Sequence, residues 1–502
     1  MKRRIAVALL LALTLTLLAA PLAWARLGGG EGFGGGSSGG GGGSSDGDWV
    51  EIVYLLVRLL IWLCVEYPVV GYPVTAAVIV GGIIVAVKYK SQPRPGMQGP
   101  RPEFKKLPRQ ALAELRRDDP NFSEMLFLDF VQMIYARYHQ ARGVDGDPAN
   151  LTPYLSPPAM ERLQQWRRTD MRVHDAIVGS LTLGDVLQQA SGWELVVNLE
   201  TNYTLTPVAD EKKSKAFYTR TQMRFRRQKG VVSKGPEFTR ALSCPSCGSP
   251  VKVDASGACA YCGTVVKPGE FAWQLTVINE LTVEDRRRQP LSLGGVEAGT
   301  NFPTVYSPTL DADRKAFALA YPEFKWEEFR ARIGTTFMHL QKAWSAKEWE
   351  RLRPYETDRL FQTHLFWLQR YRDHGYTNVL ENINLQKIEV VKVERDPFFD
   401  IITVRLYASM IDYTVDREGK IVEGGKNRTR KFSEYWTFIR KAGFKKKEPQ
   451  GEWDEPGDRC PSCGAPLKVS MHGVCEYCGS NITGGDFDWT LAKIEQDEVF
   501  KG

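Results

Sequence analysis

The segment Cys460 to Cys478, CPSCGAPLKVSMHGVCEYC, has a near-copy at Cys244 to Cys262, CPSCGSPVKVDASGACAYC. Each holds two C-x2-C pairs with eleven residues between them, and the copies stand 216 positions apart. Trp273 and Trp489 keep that spacing, so the repetition runs past the cysteines and predicts a duplicated unit. A Cys-Pro-x-Cys-Gly turn directs both sulfurs to one side, and two such turns place four thiolates at the corners of a tetrahedron. One structural Zn2+ is therefore expected on Cys244, Cys247, Cys259 and Cys262, and a second on Cys460, Cys463, Cys475 and Cys478. Disulfides are the competing reading in an oxidising compartment. A redox role is disfavoured, because that motif comes as one C-x-x-C at a helix start. His472 has Ser256 as its counterpart and is read as a loop residue.

Strand patterns flank each ribbon. Leu195, Val197, Leu199, Thr201, Tyr203 and Leu205 alternate with Glu194, Asn198, Glu200 and Asn202, the period of a half-buried strand. Ile402, Val404, Leu406, Ala408 and Met410 take that role in the second copy. Further strands are expected at 217–227 and 432–440, and after the ribbons at 271–275 and 487–491, which makes each ribbon an insertion between the last two strands. Upstream lie helices. Lead-in helices at 111–117 and 313–320 precede longer ones opened by Asp119-Pro-Asn-Phe122 and Pro322-Glu-Phe324. Phe127, Val131, Tyr135 and Tyr138 share one face of the first, and Phe329, Ile333, Phe337 and Leu340 one face of the second, at an offset of 202. Leu-x-Pro-Tyr at 151–154 and 352–355 then introduces helices at 157–168 and 358–371. Helices followed by antiparallel strands predict an α+β fold.

The N-terminal part has a different character. Lys2, Arg3 and Arg4, an apolar run and Ala23-Trp24-Ala25 mark residues 1–25 as a secretory signal. Residues 26–48 form a Gly/Ser-rich tether, and 49–67 an amphipathic interfacial segment. Residues 68–87 carry no charge and are long enough to cross about 30 Å of hydrocarbon as a helix. Lys88, Lys90 and Arg94 open a basic Pro/Gly linker, 88–110, and place the rest of the chain in the cytoplasm by the positive-inside rule. Domain 1 is then 111–280 with its ribbon at 244–262, a linker covers 281–310, and domain 2 is 311–497 with its ribbon at 460–478. A reducing compartment favours metal over disulfides at both ribbons.

Glu434-Tyr-Trp436-Thr-Phe438-Ile-Arg440, Trp489-Thr-Leu491-Ala-Lys-Ile494, the opening Asp-Pro-Asn-Phe helix and the run from Thr403 to Asp416 resemble the Tim44-like domain of the NTF2-like superfamily. The resemblance covers about residues 120–280 and 321–497, and is clearest in the second copy, because the first has Thr221-Gln-Met223-Arg-Phe225 where Trp-Thr-Phe is expected. The signal, the Gly/Ser stretch and the single span are similar to bacterial members. The resemblance implies two cone-shaped α+β domains, helices on a curved antiparallel sheet with an apolar pocket between; the zinc ribbons are additions to that minimal domain, and one transmembrane helix precedes both. It implies a role at a membrane, since the mitochondrial relative tethers a chaperone to an import channel and contacts anionic lipid. Its chaperone-recruiting segment has no match here, so an import role does not transfer.

No His-Glu-x-x-His, Walker loop or G-x-S-x-G is present, and the only dense glycines are in the tether. Arg224, Arg226, Arg227 and Lys229, and Arg440, Lys441 and Lys445 to Lys447, form two basic runs read as solvated strand edges, with anionic lipid or nucleic acid as the alternative. Trp344, Trp349, Trp367 and Trp436 read as core. A net charge of +7 over 502 residues is mildly basic and disfavours nucleic acid. The sequence thus points to a single-pass protein of the bacterial inner membrane, a non-catalytic scaffold that meets lipid through its span and a protein partner at the membrane. An NTF2-like enzyme acting on a small apolar substrate, and nucleic-acid binding by the ribbons, are the alternatives; the oligomeric state is not set.

Overall fold

The computed structural model describes residues 64, 66–68, 72, 73, 75, 109–236, 273–285, 301–444, 459–470, 473–497, 500 and 502. Chain contacts divide it into one unit of residues 37–104 and another holding the rest from Lys105 onward. In the former, Cys64 Sγ lies 3.2 Å from Thr75 Oγ1. Among the described residues no helix is long and apolar enough to cross a membrane. The signal 1–25 and tether 26–48 lie outside the described residues, as do most of 49–67 and 68–87.

The larger unit has two halves with one order of elements, the short helix Trp349–Leu352 of the second being matched by a 3-10 turn, Pro148–Leu151, in the first. In the first, α1 (Arg109–Asp118), α2 (Glu124–Arg142) and α3 (Pro157–Trp166) precede strands β1 (Met171–Gln189), β2 (Gly192–Pro207), β3 (Lys215–Gln228) and β4 (Gln274–Asp285). In the second, α4 (Leu310–Ala320), α5 (Trp326–Ala346), α6 (Trp349–Leu352) and α7 (Asp358–His374) precede β5 (Thr377–Arg395), β6 (Phe399–Val415), β7 (Ile421–Lys441) and β8 (Thr490–Gln496). Each set of strands forms an antiparallel sheet in sequential order, β1-β2-β3-β4 and β5-β6-β7-β8. The α+β expectation therefore holds for both halves.

Local chemistry sets the helix ends. Ser123 accepts from Leu126 N and starts α2 two residues beyond Asn121, later than expected, since its hydroxyl satisfies a donor of the first turn. Ser156 caps α3 in the same way, with Pro157 at the first helical position. The expected faces are buried: Phe127, Val131, Ile134 and Tyr135 of α2 pack on Leu195, Val197, Met223, Phe225 and Leu275. Phe329, Ile333, Phe337 and Leu340 of α5 pack on Ile402, Val404, Leu406, Trp436 and Leu491.

Three expectations are corrected. β1 and β5 are absent from the pattern reading, because three register shifts in each break the two-residue alternation. The shifts fall at matching places, and Asp175 (φ 53) and Asn382 (φ 52), 207 positions apart, take the left-handed conformation at the first of them. β4 runs on to Asp285, which pairs with Phe217, so the inter-domain linker begins later than residue 281. Finally, β6 is buried on both faces, not one.

Two segments cover that second face, residues 302–304 at Arg405 and Tyr407 and α2 of the first half at Phe399 and Ile401. Met125 and Leu126, on the side of α2 turned away from its own sheet, pack on Phe399, Ile401, Ile439 and Ala492 of the second half. Ser123 donates to Asp396 Oδ2 at 2.6 Å, and Thr363 of α7 donates to the Val178 carbonyl of β1 at 3.1 Å. Elsewhere Phe500 stacks on Tyr435, 3.9 Å between ring centres, beside Val305 and Val391. The halves thus keep separate main cores and share one smaller apolar cluster.

Candidate metal centre

Cys460, Cys463, Cys475 and Cys478 converge, with all four Sγ atoms within 4.8 Å of one another. Two turns of one design bring them there. Gly464 N donates to Cys460 O, and Gly479 N to Cys475 O, each at 2.8 Å, with Gly464 (φ 73) and Gly479 (φ 71) left-handed where a side chain would be strained. The Sγ separations of 3.8 Å for Cys460 to Cys478 and 4.0 Å for Cys463 to Cys475 match the roughly 3.8 Å edge of a tetrahedron with 2.3 Å Zn–S bonds. Two thiols are buried and two exposed. Burial pushes the Cys460 thiol up to about 12, whereas hydrogen bonds from Ser480 bring Cys478 down to about 6. A metal ion would hold all four as thiolates. The donor set fits a closed structural site: four soft ligands and no position for substrate.

The ribbon is docked on the helical layer. Arg353, fully buried, pairs with Asp358 at the start of α7 and donates to Glu356 O at 3.0 Å. Thr483, beyond the last cysteine, donates to the same Asp358 oxygen at 3.3 Å. Gly473 (φ 75), between the cysteine pairs, lies so close that a Cβ there would collide with Thr483 Oγ1 and Arg353 Nη2. At the strand end Lys441 N donates to Gly485 O at 2.8 Å. Beside that junction the Arg440 guanidinium is buried, 4.6 Å from the centre of the Trp489 ring and 3.1 Å from Asp400 Oδ2.

Residues 313–454 match the profile of the Tim44-like domain. This half of the chain carries a Tim44-like domain. The match spans α4 to β7 and ends before the cysteines, so the second ribbon and β8 follow it in sequence. None of the curated proteins compared matches the chain.

Within the Tim44-like half, the tryptophans are core as expected: Trp344, Trp367 and Trp436 are buried and Trp349 packs against them. Of the two basic runs, Arg227 and Arg440 are not solvated. β3 and β7 are interior strands, and Arg227 and Arg440 point inward. Arg227 lies 4.3 Å from the Trp273 ring centre and 2.7 Å from Asp119 Oδ2. Arg224, Arg226 and Lys229 reach the surface, and Arg224 pairs with Glu194. The first quartet, Cys244, Cys247, Cys259 and Cys262, together with Lys445 to Lys447 and His472, lies outside the described residues.

Sequence reading missed a buried Glu356 and His364 pair, 2.7 Å apart, in the Tim44-like half. At the offset of 201 that aligns Pro153 with Pro354, their counterparts are Leu155 and Leu163, both buried. The substitution of an acid and a histidine for two leucines was legible in that alignment. The pair is sealed, 0% and 3% exposed at the side chains, so it serves the core.

Proposed function

We propose that this chain is a membrane-anchored, non-catalytic scaffold that displays two Tim44-like domains, each stapled by a structural zinc ribbon, to the cytoplasm of a bacterium for a protein partner at the membrane. The observation that carries the reading is the shared plan of the halves. The Tim44-like match falls on one half, while the other has the same element order, the same three strand irregularities and the same buried Arg on Trp beside its ribbon junction. The ribbon geometry supports a closed metal site, which stabilises without reacting. Anchorage rests on the uncharged stretch 68–87 and the basic residues after it.

Protease digestion of spheroplasts and of inverted membrane vesicles tests this arrangement. Cleavage of the two domains only in inverted vesicles is expected; cleavage from outside intact spheroplasts overturns it.

A further inference from the structure

The start of β1 is tied to its neighbours by a chain of hydrogen bonds that runs through His174. The ring Nδ1 lies 2.9 Å from Asp175 Oδ2, and Nε2 lies 2.8 Å from Thr206 Oγ1 on β2. Thr206 Oγ1 lies 2.8 Å from Ser214 Oγ, just before β3, and Ser214 donates to the Glu211 carbonyl at 2.7 Å. Counting donors fixes the state of the ring. Ser214 gives its only hydrogen to Glu211 O, so Thr206 must donate to Ser214 and can only accept from His174 Nε2. Asp175 accepts from Nδ1, so both ring nitrogens carry hydrogen and the ring is an imidazolium. A neutral ring leaves the chain one hydrogen short.

The side chains of His174 and Asp175 are 41% and 39% exposed, so protons reach them from solvent. The hydrogen bond to Asp175 raises the His174 pKa above its ordinary value, against burial and the Arg172 charge, and the Asp175 and Asp145 charges add to the rise. Burial works to raise Asp175, but His174, the Thr204 hydroxyl and the charge of Arg370 on α7 of the second half hold it below its ordinary value. The other charges nearby are paired: Arg172 lies 2.7 Å from Asp145 and 3.1 Å from Glu211, and Lys213 lies 3.2 Å from Asp210. The second half builds the same place without histidine. At the 207 offset Glu381, Asn382 and Tyr413 stand for His174, Asp175 and Thr206, and the Tyr413 hydroxyl donates to Glu381 Oε1 at 2.8 Å. Burial and then Glu381 raise the Tyr413 pKa, so that hydroxyl keeps its proton near neutrality.

We propose that His174 is a pH-sensitive latch on the first half: its charged ring holds β1 to β2 and to the turn before β3, and loss of the proton loosens the start of β1, beside the Val178 carbonyl that meets Thr363 of α7. The stabilisation is complete below the unfolded histidine value of about 6.5 and is lost as pH rises through the folded value. The test uses the full chain in lipid nanodiscs with isotope-labelled histidine, whose His174 signal is identified by its loss in His174→Gln. An NMR titration midpoint above about 6.5 is expected, and a lower one in Thr206→Val, which removes the acceptor at Nε2. Hydrogen exchange, corrected for its intrinsic dependence on pH, reads the latch itself. Between about pH 6 and about pH 9 the protection of paired amides in residues 171–178 should fall about fivefold, the worth of roughly one hydrogen bond. Residues 377–384, and residues 171–178 in His174→Gln, should show no such fall. A midpoint at or below about 6.5, a midpoint unmoved by Thr206→Val, or protection that falls equally in both halves or equally in His174→Gln would overturn the proposal.

Discussion

Arg440 lies 4.6 Å from the centre of the Trp489 ring, and both are buried at the point where the second ribbon leaves the sheet. Arg227 on Trp273 repeats this in the first half, but the acid that compensates the guanidinium comes from a different place. Asp119, in the turn before α2, serves Arg227, whereas Asp400, on β6, serves Arg440. The remaining positions are exchanged too: Tyr321 stands where Asp119 does at the 202 offset, and Trp193, the β2 residue opposite Arg227, stands where Asp400 does opposite Arg440. Each half thus keeps one cation, one acid and aromatic rings while swapping which element supplies the acid.

This exchange predicts unequal costs. Asp400 also binds Arg395 at 3.2 Å, so Arg440→Met leaves it one cation, whereas Arg227→Met leaves Asp119 only hydrogen bonds from Asn121 and Ser233. Arg227→Met is expected to cost about 3–5 kcal/mol and Arg440→Met clearly less. Chemical denaturation followed by tryptophan fluorescence checks the order, and equal losses would count against it.

Docking of the second ribbon through Arg353 would couple a metal held by its four cysteines to the helical layer. Gly473→Ala puts a methyl group against Thr483 and Arg353 at a left-handed position and is expected to cost about 1–3 kcal/mol. Zinc transfer from the second ribbon to a chromogenic chelator should then speed up by about tenfold. An unchanged rate would show that the ribbon holds its metal independently.

His139 predicts a pH dependence. Its folded pKa is depressed, so the unfolded state takes up a proton first as pH falls. The stabilisation from its neutral burial is complete above the unfolded value of about 6.5 and is lost as pH falls from there toward the folded value. His139→Gln, which installs the residue found at position 341, should flatten that part of the stability profile. A profile below pH 6.5 with the same slope in the variant would contradict the assignment.

The contact of Leu126 with Phe399, Ile401 and Ile439 predicts that the halves stay together without a chain connection. A chain cut at a protease site engineered within residues 286–300 should elute as one species on gel filtration. Leu126→Asp, which puts a charge into that contact, should release the two parts. Separation of the unaltered halves after cutting would refute the joint core.

Much of this fold is legible in the sequence because its signals are local. The aromatic face of α5, the Ser156-Pro157 helix start and the cysteine pairs each depend on nearby residues with one period or one turn. What escapes depends on distant partners. β1 and β5 are hidden by bulges that interrupt their alternation, and the burial of the second face of β6 depends on α2 of the other half and on residues 302–304. Arg227 and Arg440 read as surface charge until Asp119, Asp400 and the two tryptophans are brought to them by tertiary packing. The convergence of Cys460, Cys463, Cys475 and Cys478 was the most direct reading, since four thiols in two turns admit few other arrangements.

The account rests on two equivalent domains, each closed by a four-thiolate ribbon, and metal content tests this most directly. Elemental analysis of the purified chain should find two zinc ions, falling to one when Cys460 and Cys463 are replaced by serine. One zinc or none in the unaltered chain, or two retained in the variant, would contradict it.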